Sequence, residues 1–337
     1  MNENIFLSIV IPCKNEEKNI ARCLKSIVKG VKNIKKNTEI ILVDSFSSDK
    51  TIEITKDFPV NIIQLKSNWL HSPSAARYLG CLNVKGKYIF IIDADMELHT
   101  GFLEKAIDFM EKDNKIAGLA GMGDEFYKEG GRLNDLYKRK NKLQEVDFLG
   151  GAALYRKTSL DKIGYFNPYL QGEEEFELAQ RLKETGFKLF SLPYRMTTHY
   201  ASRSMEDFLT RAKNGLFFGI GQMLRLSIKK GKFWSTLLRF KLLDIFIGFI
   251  IVLTGSLIYV FLSKNMAFLI LEAIVSLLFY LSLCFIKRSL KQGTLSIVKW
   301  ILINVNIIIG FIKSPKNPNT YPRDVRVIRK GIKIDYE

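Results

Sequence analysis

Two carboxylates that directly follow a short apolar run are the residues of this chain best suited to chemistry. Residues 88–92 are aromatic or β-branched throughout, which predicts a buried strand. The run ends at Asp93 and Asp95, with one alanine between them. Ligands of open α/β sheets bind outside the carboxyl ends of the strands, where two acids can hold a divalent cation and the cation can hold a diphosphate. The alternative is a strand that ends in a solvated turn.

The elements that must position these acids alternate between strand and helix. Apolar runs predict strands at residues 6–11, 39–43, 60–65 and 88–92. Helical periodicity fills the intervals, and Asn15 is expected to cap the first helix, with Glu16 and Glu17 in its first turn. This alternation predicts an α/β domain with a central, mostly parallel sheet flanked by helices.

The composition suits a full-sized core together with membrane segments. The chain has 337 residues, is 47% hydrophobic and carries a net charge of +17. The positive excess indicates an anionic partner, which is nucleic acid, an acidic membrane surface or a phosphorylated substrate. No signal peptide is apparent, so the first domain is expected in the cytoplasm. Neither a zinc site nor a disulfide framework is predicted by the spacing of Cys13, Cys23, Cys81 and Cys284.

Several segments, in this order along the chain, resemble the motifs of family 2 glycosyltransferases. They are SIVIPCKNEE at 8–17, VDSFSSDKT at 43–51, AARYLG at 75–80 and GKYIFIIDAD at 86–95. The resemblance covers roughly residues 5–200 and implies the GT-A fold, a nucleotide-sugar-binding α/β domain. It also implies a donor in which a nucleotide, usually UDP, activates a sugar.

The resemblance implies roles for the residues of the donor site. Asp44 accepts from the uracil ring, and Asn15 to Glu17 line the nucleoside pocket. Asp95 binds Mn²⁺ or Mg²⁺, with Asp93 nearer the ribose and the metal shell. The metal neutralises the diphosphate leaving group. The predicted substrate-binding residues are Pro12, Asn15, Glu16, Glu17, Asp44, Ser45, Arg77, Asp93, Gly150 and Gly151.

The resemblance also implies roles for Arg77, His199, Gly150 and Gly151, and the first two have an alternative interpretation. Arg77 adds positive charge near the phosphates, or else is a solvated helix arginine. His199 completes the metal site, as in some relatives, or else is a partly buried histidine. Residues 148–156, FLGGAALYR, resemble the strand beneath the acceptor site, where Gly150 and Gly151 let a ligand approach the backbone closely.

Three consecutive glutamates open a predicted helix after residue 172. Acids at a helix N-terminus are explained by the macrodipole alone. The segment also resembles the family's E-D motif, whose second acid is the general base of inverting members. Alignment makes Glu175 the base with Glu174 beside it, although glutamate replaces the usual aspartate and leaves Glu174 and Glu173 open as bases. One base acting on the acceptor hydroxyl predicts inversion at the anomeric carbon.

The C-terminal part of the sequence predicts a membrane region. Residues 203–243 are basic and aromatic, which indicates a segment on the anionic cytoplasmic leaflet rather than a nucleic-acid surface. Residues 244–263 and 266–286 are long enough to cross a bilayer as helices. Residues 295–312 contain Lys299, Asn304 and Asn306, and we expect them to lie at the interface, since two crossings keep the basic tail inside.

The predicted organisation has four parts: a GT-A catalytic domain at 1–202, a juxtamembrane segment at 203–243, a helical membrane region at 244–312 and a basic tail at 313–337. The predicted function is a membrane-anchored, multi-pass, metal-dependent, inverting glycosyltransferase with a cytoplasmic catalytic domain. Its acceptor is a lipid-linked sugar or glycan in polysaccharide or glycolipid synthesis. The alternatives are transfer onto a polyprenyl-phosphate carrier and a non-catalytic membrane scaffold that binds sugar nucleotides.

Overall fold

The computed structural model describes residues 5–127, 133–134, 142–201, 204–264, 266–313 and 315–331. The chain divides into two compact units. The first unit contains Met1–Ser204 and Lys316–Glu337, and the second contains Met205–Pro315. The second unit is therefore inserted into the chain of the first.

The N-terminal half of the first unit builds the parallel part of its sheet. Its elements are β1 (Leu7–Cys13), α1 (Ile20–Val31), β2 (Thr38–Asp44), α2 (Thr51–Thr55), β3 (Asn61–Gln64), α3 (Pro73–Leu82) and β4 (Tyr88–Ile91). Strand β1 pairs in parallel with β2 and β4, and β2 pairs in parallel with β3. All residues of β1 are buried, as expected for a central parallel strand covered on both faces.

The remaining strands make the sheet mixed. The elements are β5 (Met96–Leu98), α4 (Phe102–Met110), β6 (Ile116–Tyr127), β7 (Leu133–Asn134), β8 (Gln144–Glu145), β9 (Ala153–Arg156), α5 (Lys157–Ile163), α6 (Glu174–Glu184), β10 (Lys188–Ala201) and β11 (Arg326–Arg329). The main strand order is β11-β3-β2-β1-β4-β9-β6-β10-β5. Among the described strands beyond β4, only β6 and β10 pair in parallel. The α/β prediction is confirmed, but parallel pairing prevails only in the N-terminal half, where crossover helices follow the strands.

Helix α3 lies directly against the central strand. A Cβ atom at Gly80 would lie 2.3 Å from Cγ1 of Val10. Helix α3 can therefore pack this closely on β1 only because residue 80 is glycine. The helix begins at Pro73, and the Ser72 side chain caps it by accepting from the amide of Ala75 over 3.0 Å. Arg77 of this helix is thereby held over the carboxyl end of the sheet.

The second unit is helical. Its elements are α7 (Met205–Lys213), α8 (Phe218–Lys229), α9 (Phe233–Arg239), α10 (Lys241–Ser263), α11 (Ala267–Ile286) and α12 (Leu290–Ile312). Helices α11 and α12 are long and apolar enough to cross a membrane. Helix α10 covers the run predicted at 244–263, and its stretch Ile250–Ser263 is a shorter apolar segment.

Helices α8 and α12 pack closely through glycines. A Cβ atom at Gly221 would lie 1.9 Å from the carbonyl oxygen of Ile307, and one at Gly310 would lie 2.2 Å from that of Phe218. Asn304, on the same helix, is fully buried and donates to the carbonyl of residue 300 over 2.9 Å. Helix α12 therefore has an apolar composition but also carries a closely packed glycine, Gly310, and a buried asparagine, Asn304.

Candidate active site

The loops that follow β1 and β2 are joined by hydrogen bonds. The amide of Asn15 donates to Oγ of Ser47, and the amide of Glu16 donates to Oγ1 of Thr51, both over 2.8 Å. Pro12 is buried in β1, where it pairs with residue 43 of β2. The first and second predicted motifs therefore form one polar surface at the carboxyl edge of the sheet.

The expected cap of the first helix was wrong. Helix α1 begins at Ile20 with Asn19 at its N-cap position, and its first turn contains no acid. Asn15 instead adopts a left-handed backbone with φ 54°. The amides of residues 15–17 bond to the loop after β2, and this pairing delays the start of the helix.

Asp44 organises the loop that follows its own strand. The carboxylate is fully buried, and its Oδ2 accepts from the amide of Ser47 and from Nε2 of Gln64, each over 2.9 Å. The amide of Ser45 donates to the carbonyl of Cys13 over 2.8 Å, which continues the pairing of β1 with β2. These contacts hold the predicted nucleoside pocket in shape, and the bond from Asp44 to a base stays a prediction.

A buried arginine joins the acids of the second half of the predicted site. Arg77 Nη2 lies 2.7 Å from Asp93 Oδ1, and Nη1 lies 3.0 Å from Glu175 Oε1 and also donates to Glu174. The Arg77 side chain is only 4% exposed. The alternative of a solvated arginine is therefore wrong, and four predicted residues form one ion-pair cluster.

Gly151 lies against the same cluster. A Cβ atom there would be 2.5 Å from Oδ2 of Asp93 and 3.4 Å from Nη2 of Arg77. A larger residue would displace the carboxylate, so glycine is required at 151 to fit the protein's own side chains. A Cβ atom at Gly150 would meet nothing within 4 Å, which leaves space above that residue.

Asp95 and His199 form a second pair at the end of β4. Oδ2 of Asp95 lies 3.0 Å from Nε2 of His199 on β10. This hydrogen bond raises the pKa of His199, with burial acting in the opposite direction. Among the described residues no group of three His, Cys, Asp or Glu side chains converges on one point. One carboxylate and one imidazole nonetheless suit a cation that completes its shell with water and phosphate oxygens.

Burial raises the pKa of two acids in the Arg77 cluster. The pKa of Glu174 rises mainly through burial and then through the charge of Glu175, while Arg77 opposes the shift. Burial also raises the pKa of Asp93 to about 6, against the lowering effect of Arg77. The single positive charge of Arg77 thus faces three acidic groups, which is more than it can neutralise.

The three glutamates of 173–175 differ in accessibility. The Glu174 side chain is 4% exposed and the Glu175 side chain 18%. Glu173 precedes α6 in a left-handed conformation with φ 58°. Of the two glutamates bonded to Arg77, Glu175 is therefore the one that a second substrate can reach more easily.

Two residues of this region had no signal in the sequence. Gln64 ends β3 and supplies the amide that holds Asp44. Tyr321 follows the second unit in the chain but is buried in the first unit. Neither position belongs to a motif, because both contacts join segments that are distant in the chain.

The sheet order, and the acids at its carboxyl edge, define the GT-A class of fold. Residues 8–164 match the family model described as Glycosyl transferase family 2. Residues 8–164 are therefore similar to a family 2 glycosyltransferase domain, as predicted. The match ends before α6, so the roles of the acids on that helix stay predictions.

Two relatives of the chain carry the names of glycosyltransferases. The chain is 26% identical over 279 residues to a dolichyl N-acetyl-α-D-glucosaminyl phosphate 3-β-D-2,3-diacetamido-2,3-dideoxy-β-D-glucuronosyltransferase of Methanococcus voltae, covering 76% of this chain and 84% of the relative. It is 32% identical over 162 residues to the putative glycosyltransferase CsbB of Bacillus subtilis, covering 46% and 48%. The chain thus spans most of the first relative and about half of the second.

A solved structure shows the same fold. The S. aureus TarS fragment 1–349 in complex with UDP-GlcNAc aligns with a TM-score of 0.50 and 19% identity, covering 63% of this chain and 67% of TarS 1–349. At this identity the likeness extends to the fold alone.

Proposed function

We propose that this protein is a membrane-associated, inverting glycosyltransferase that uses a nucleotide-sugar donor. The observation that carries the proposal is the Arg77 cluster. This single buried guanidinium binds Asp93, at the predicted donor side, and Glu175, the predicted base. The cluster thus joins the two halves of a transfer site at one point.

Glu175 is the base in this proposal. Inversion requires a carboxylate that takes the proton of the acceptor hydroxyl while the nucleotide leaves on the opposite face of the sugar. Glu174 is almost fully buried and bonded to Arg77, so it holds the arginine in place. The greater exposure of Glu175 supports its assignment to the acceptor.

Asp95 and His199 hold Mn²⁺ or Mg²⁺ in this proposal, and Asp93 lies beside them. Such a cation, when bound, stabilises the negative charge that develops on the diphosphate leaving group. The role of the protein's own residues is to orient the carboxylates of Asp93 and Asp95. Asp95 Oδ2 and His199 Nε2 lie 3.0 Å apart, so the two proposed ligands already face each other and a bound cation would replace the hydrogen bond between them. Arg77 fixes the carboxylate of Asp93.

The proposed acceptor is a lipid-linked sugar. The name of the Methanococcus voltae relative, which the chain matches over most of its length, describes transfer onto a dolichyl-linked sugar phosphate. Apolar helices in the second unit support an acceptor presented at a membrane surface. The polyprenyl phosphate itself is the second candidate acceptor, and both belong in the same assay.

We also propose two membrane crossings, by α10 and α11, with the first unit in the cytoplasm. The chain leaves the first unit after residue 204 and rejoins it at 316, so the number of crossings between them must be even. The turn between α11 and α12 contains Lys287 and Arg288, which favours the cytoplasmic side. Crossing by α11 and α12 instead would place this basic turn outside.

The packing of α12 supports an interfacial position for that helix. Lys299 of α12 lies 5.2 Å from the ring centroid of Phe208, and Lys313, just beyond the helix, lies 5.1 Å from that of Phe218. Both aromatic residues belong to the basic and aromatic segment predicted to lie on the leaflet surface. Helix α12 thus packs on α8 through glycines, and Lys299 and Lys313 contact aromatic rings of α7 and α8 respectively.

The first experiment measures release of nucleoside diphosphate from a panel of nucleotide sugars. Detergent-solubilised full-length protein is incubated with its own membrane lipids, with Mn²⁺, with Mg²⁺ or with a chelator. We expect release from one donor, dependent on the cation. If added lipid-linked sugars and polyprenyl phosphate also give no release, the enzymatic proposal is wrong and the non-catalytic scaffold remains.

Substitution of the proposed base tests the mechanism. Glu175→Gln should lower turnover by about 100-fold or more while donor binding persists, because general base catalysis contributes about 10²–10⁴-fold. Glu184→Gln, at the other end of α6, is the matched control and should retain activity. Equal activity of the two variants would exclude Glu175 as the base.

A further inference from the structure

The segment that follows the second unit returns to the first unit and completes its sheet. Strand β11 pairs antiparallel with β3, which would otherwise be an edge strand. Nη1 of Arg329 donates to the carbonyl oxygens of Lys56 over 2.6 Å and of Phe58 over 2.9 Å. Residues 316–331 are therefore anchored at the sheet edge independently of the contacts described next.

Tyr321 lies at the centre of an aromatic cluster in this segment. The residue is 3% exposed, and its ring centroid lies 5.4 Å from that of Tyr169, 5.9 Å from Trp69 and 6.1 Å from Tyr78. Its hydroxyl donates to the carbonyl of Leu70 over 2.7 Å. All three ring pairs are edge-to-face, the arrangement that aromatic quadrupoles favour.

Two of these aromatic partners lie on the loops that lead into the site, and Tyr78 lies on α3 itself. Trp69 precedes α3, which carries Arg77, and Tyr169 precedes α6, which begins at Glu174. The loops also bond to each other, since Oγ of Ser74 donates to the carbonyl of residue 167 over 2.6 Å and Oγ of Ser72 to that of 168 over 3.1 Å. Tyr321 packs against both loops close to this junction.

We propose that Tyr321 is a positioning residue for the transfer reaction. By holding the loop before α6 against α3, its ring keeps Glu175 at hydrogen-bonding distance from Arg77 and aimed at the acceptor. The segment that follows the second unit therefore acts on the site through Tyr321, while β11 only anchors this segment at the sheet edge. This inference rests on the proposed function, because it acts through the proposed base.

The test compares Tyr321→Ala and Tyr321→Phe in the full-length, detergent-solubilised protein. The donor panel identifies the nucleoside diphosphate, and calorimetric titration with it gives the number of binding sites. Turnover is divided by this number, so unfolded protein is not counted. We expect Tyr321→Ala to lower turnover per site by at least about 10-fold with donor KM unchanged, because a small displacement of a reacting group is costly. Tyr321→Phe, which keeps the ring, should stay within about threefold of wild type.

Two further variants make the comparison decisive. Val327→Ala, on β11 and exposed, is the matched control and should match wild type. Tyr169→Leu removes the partner ring from the loop side and should repeat the loss seen with Tyr321→Ala. Unchanged turnover per site in Tyr321→Ala would overturn the positioning role, as would loss of all nucleotide binding in both Tyr321→Ala and Tyr169→Leu. An inactive wild type would instead contradict the proposed function.

Discussion

At the scale of single residues, the site depends on a cation buried among acids. Arg77 contacts Asp93, Glu174 and Glu175, and its side chain is almost inaccessible. Removing one partner from a buried ion pair leaves uncompensated charge, which costs more than the pair itself contributes. Arg77 is therefore both a structural and a functional residue.

Arg77→Met should lower the free energy of unfolding by about 3–5 kcal/mol, because three acids lose their cation. Thermal melting of the solubilised protein, followed by tryptophan fluorescence, measures the change. Arg326→Met, at an exposed position of β11, is the matched control and should melt like wild type. Equal melting temperatures of the two variants would mean that the acids are neutralised in another way.

Glu174 should make stability depend on pH. Its pKa in the folded protein is raised from 4.5 to about 8, so the folded state keeps a proton that the unfolded chain loses. The stability contributed by this group is present below pH 4.5 and is lost as pH rises towards 8. In chelator, the melting temperature of wild type should therefore fall with pH relative to that of Glu174→Gln. If the melting temperatures of wild type and Glu174→Gln change with pH in the same way, the pKa of Glu174 is not raised in the folded protein.

At the scale of elements, the second unit depends on the close approach of α8 and α12. Gly221 and Gly310 lie where any side chain would meet backbone atoms of the other helix. Backbone atoms cannot move aside as the end of a flexible side chain can. The two helices must therefore separate if either glycine is replaced.

Gly221→Ala should destabilise the second unit by about 1–3 kcal/mol, the usual cost of overpacking. Gly255→Ala, on α10, is the matched control, because a Cβ atom there meets nothing within 4 Å. Protease resistance and melting of the solubilised protein measure both. If Gly221→Ala resembles the control, α8 and α12 do not pack as described.

At the scale of the whole molecule, the return of the chain to the first unit restricts how it crosses a membrane. Residues before 205 and after 315 belong to one folded unit, so they must lie on the same side. An even number of crossings follows from this connectivity alone. The two crossings are made either by α10 and α11 or by α11 and α12. The charges of the turns between these helices decide which pair crosses.

Cysteine labelling in intact cells distinguishes these two topologies. Met266→Cys should react with a membrane-impermeant maleimide, and Lys287→Cys should react only after the membrane is opened. The native Cys13, Cys23, Cys81 and Cys284 are buried and should give little background. A reporter fused after Glu337 should be active in the cytoplasm. The reverse labelling pattern would indicate crossing by α11 and α12.

The sequence alone determined the class of this protein, because strand and helix periodicity and short motifs are local properties. The run before Asp93 and Asp95 predicted β4, and the first two motifs predicted the edge of the sheet at which their loops meet. Only the tertiary structure decided that Arg77 is buried among acids, that α1 begins at residue 20, and that Tyr321 packs on the loops of the site. These features join segments far apart in the chain, and periodicity reports only whether a residue is buried, not which residue buries it.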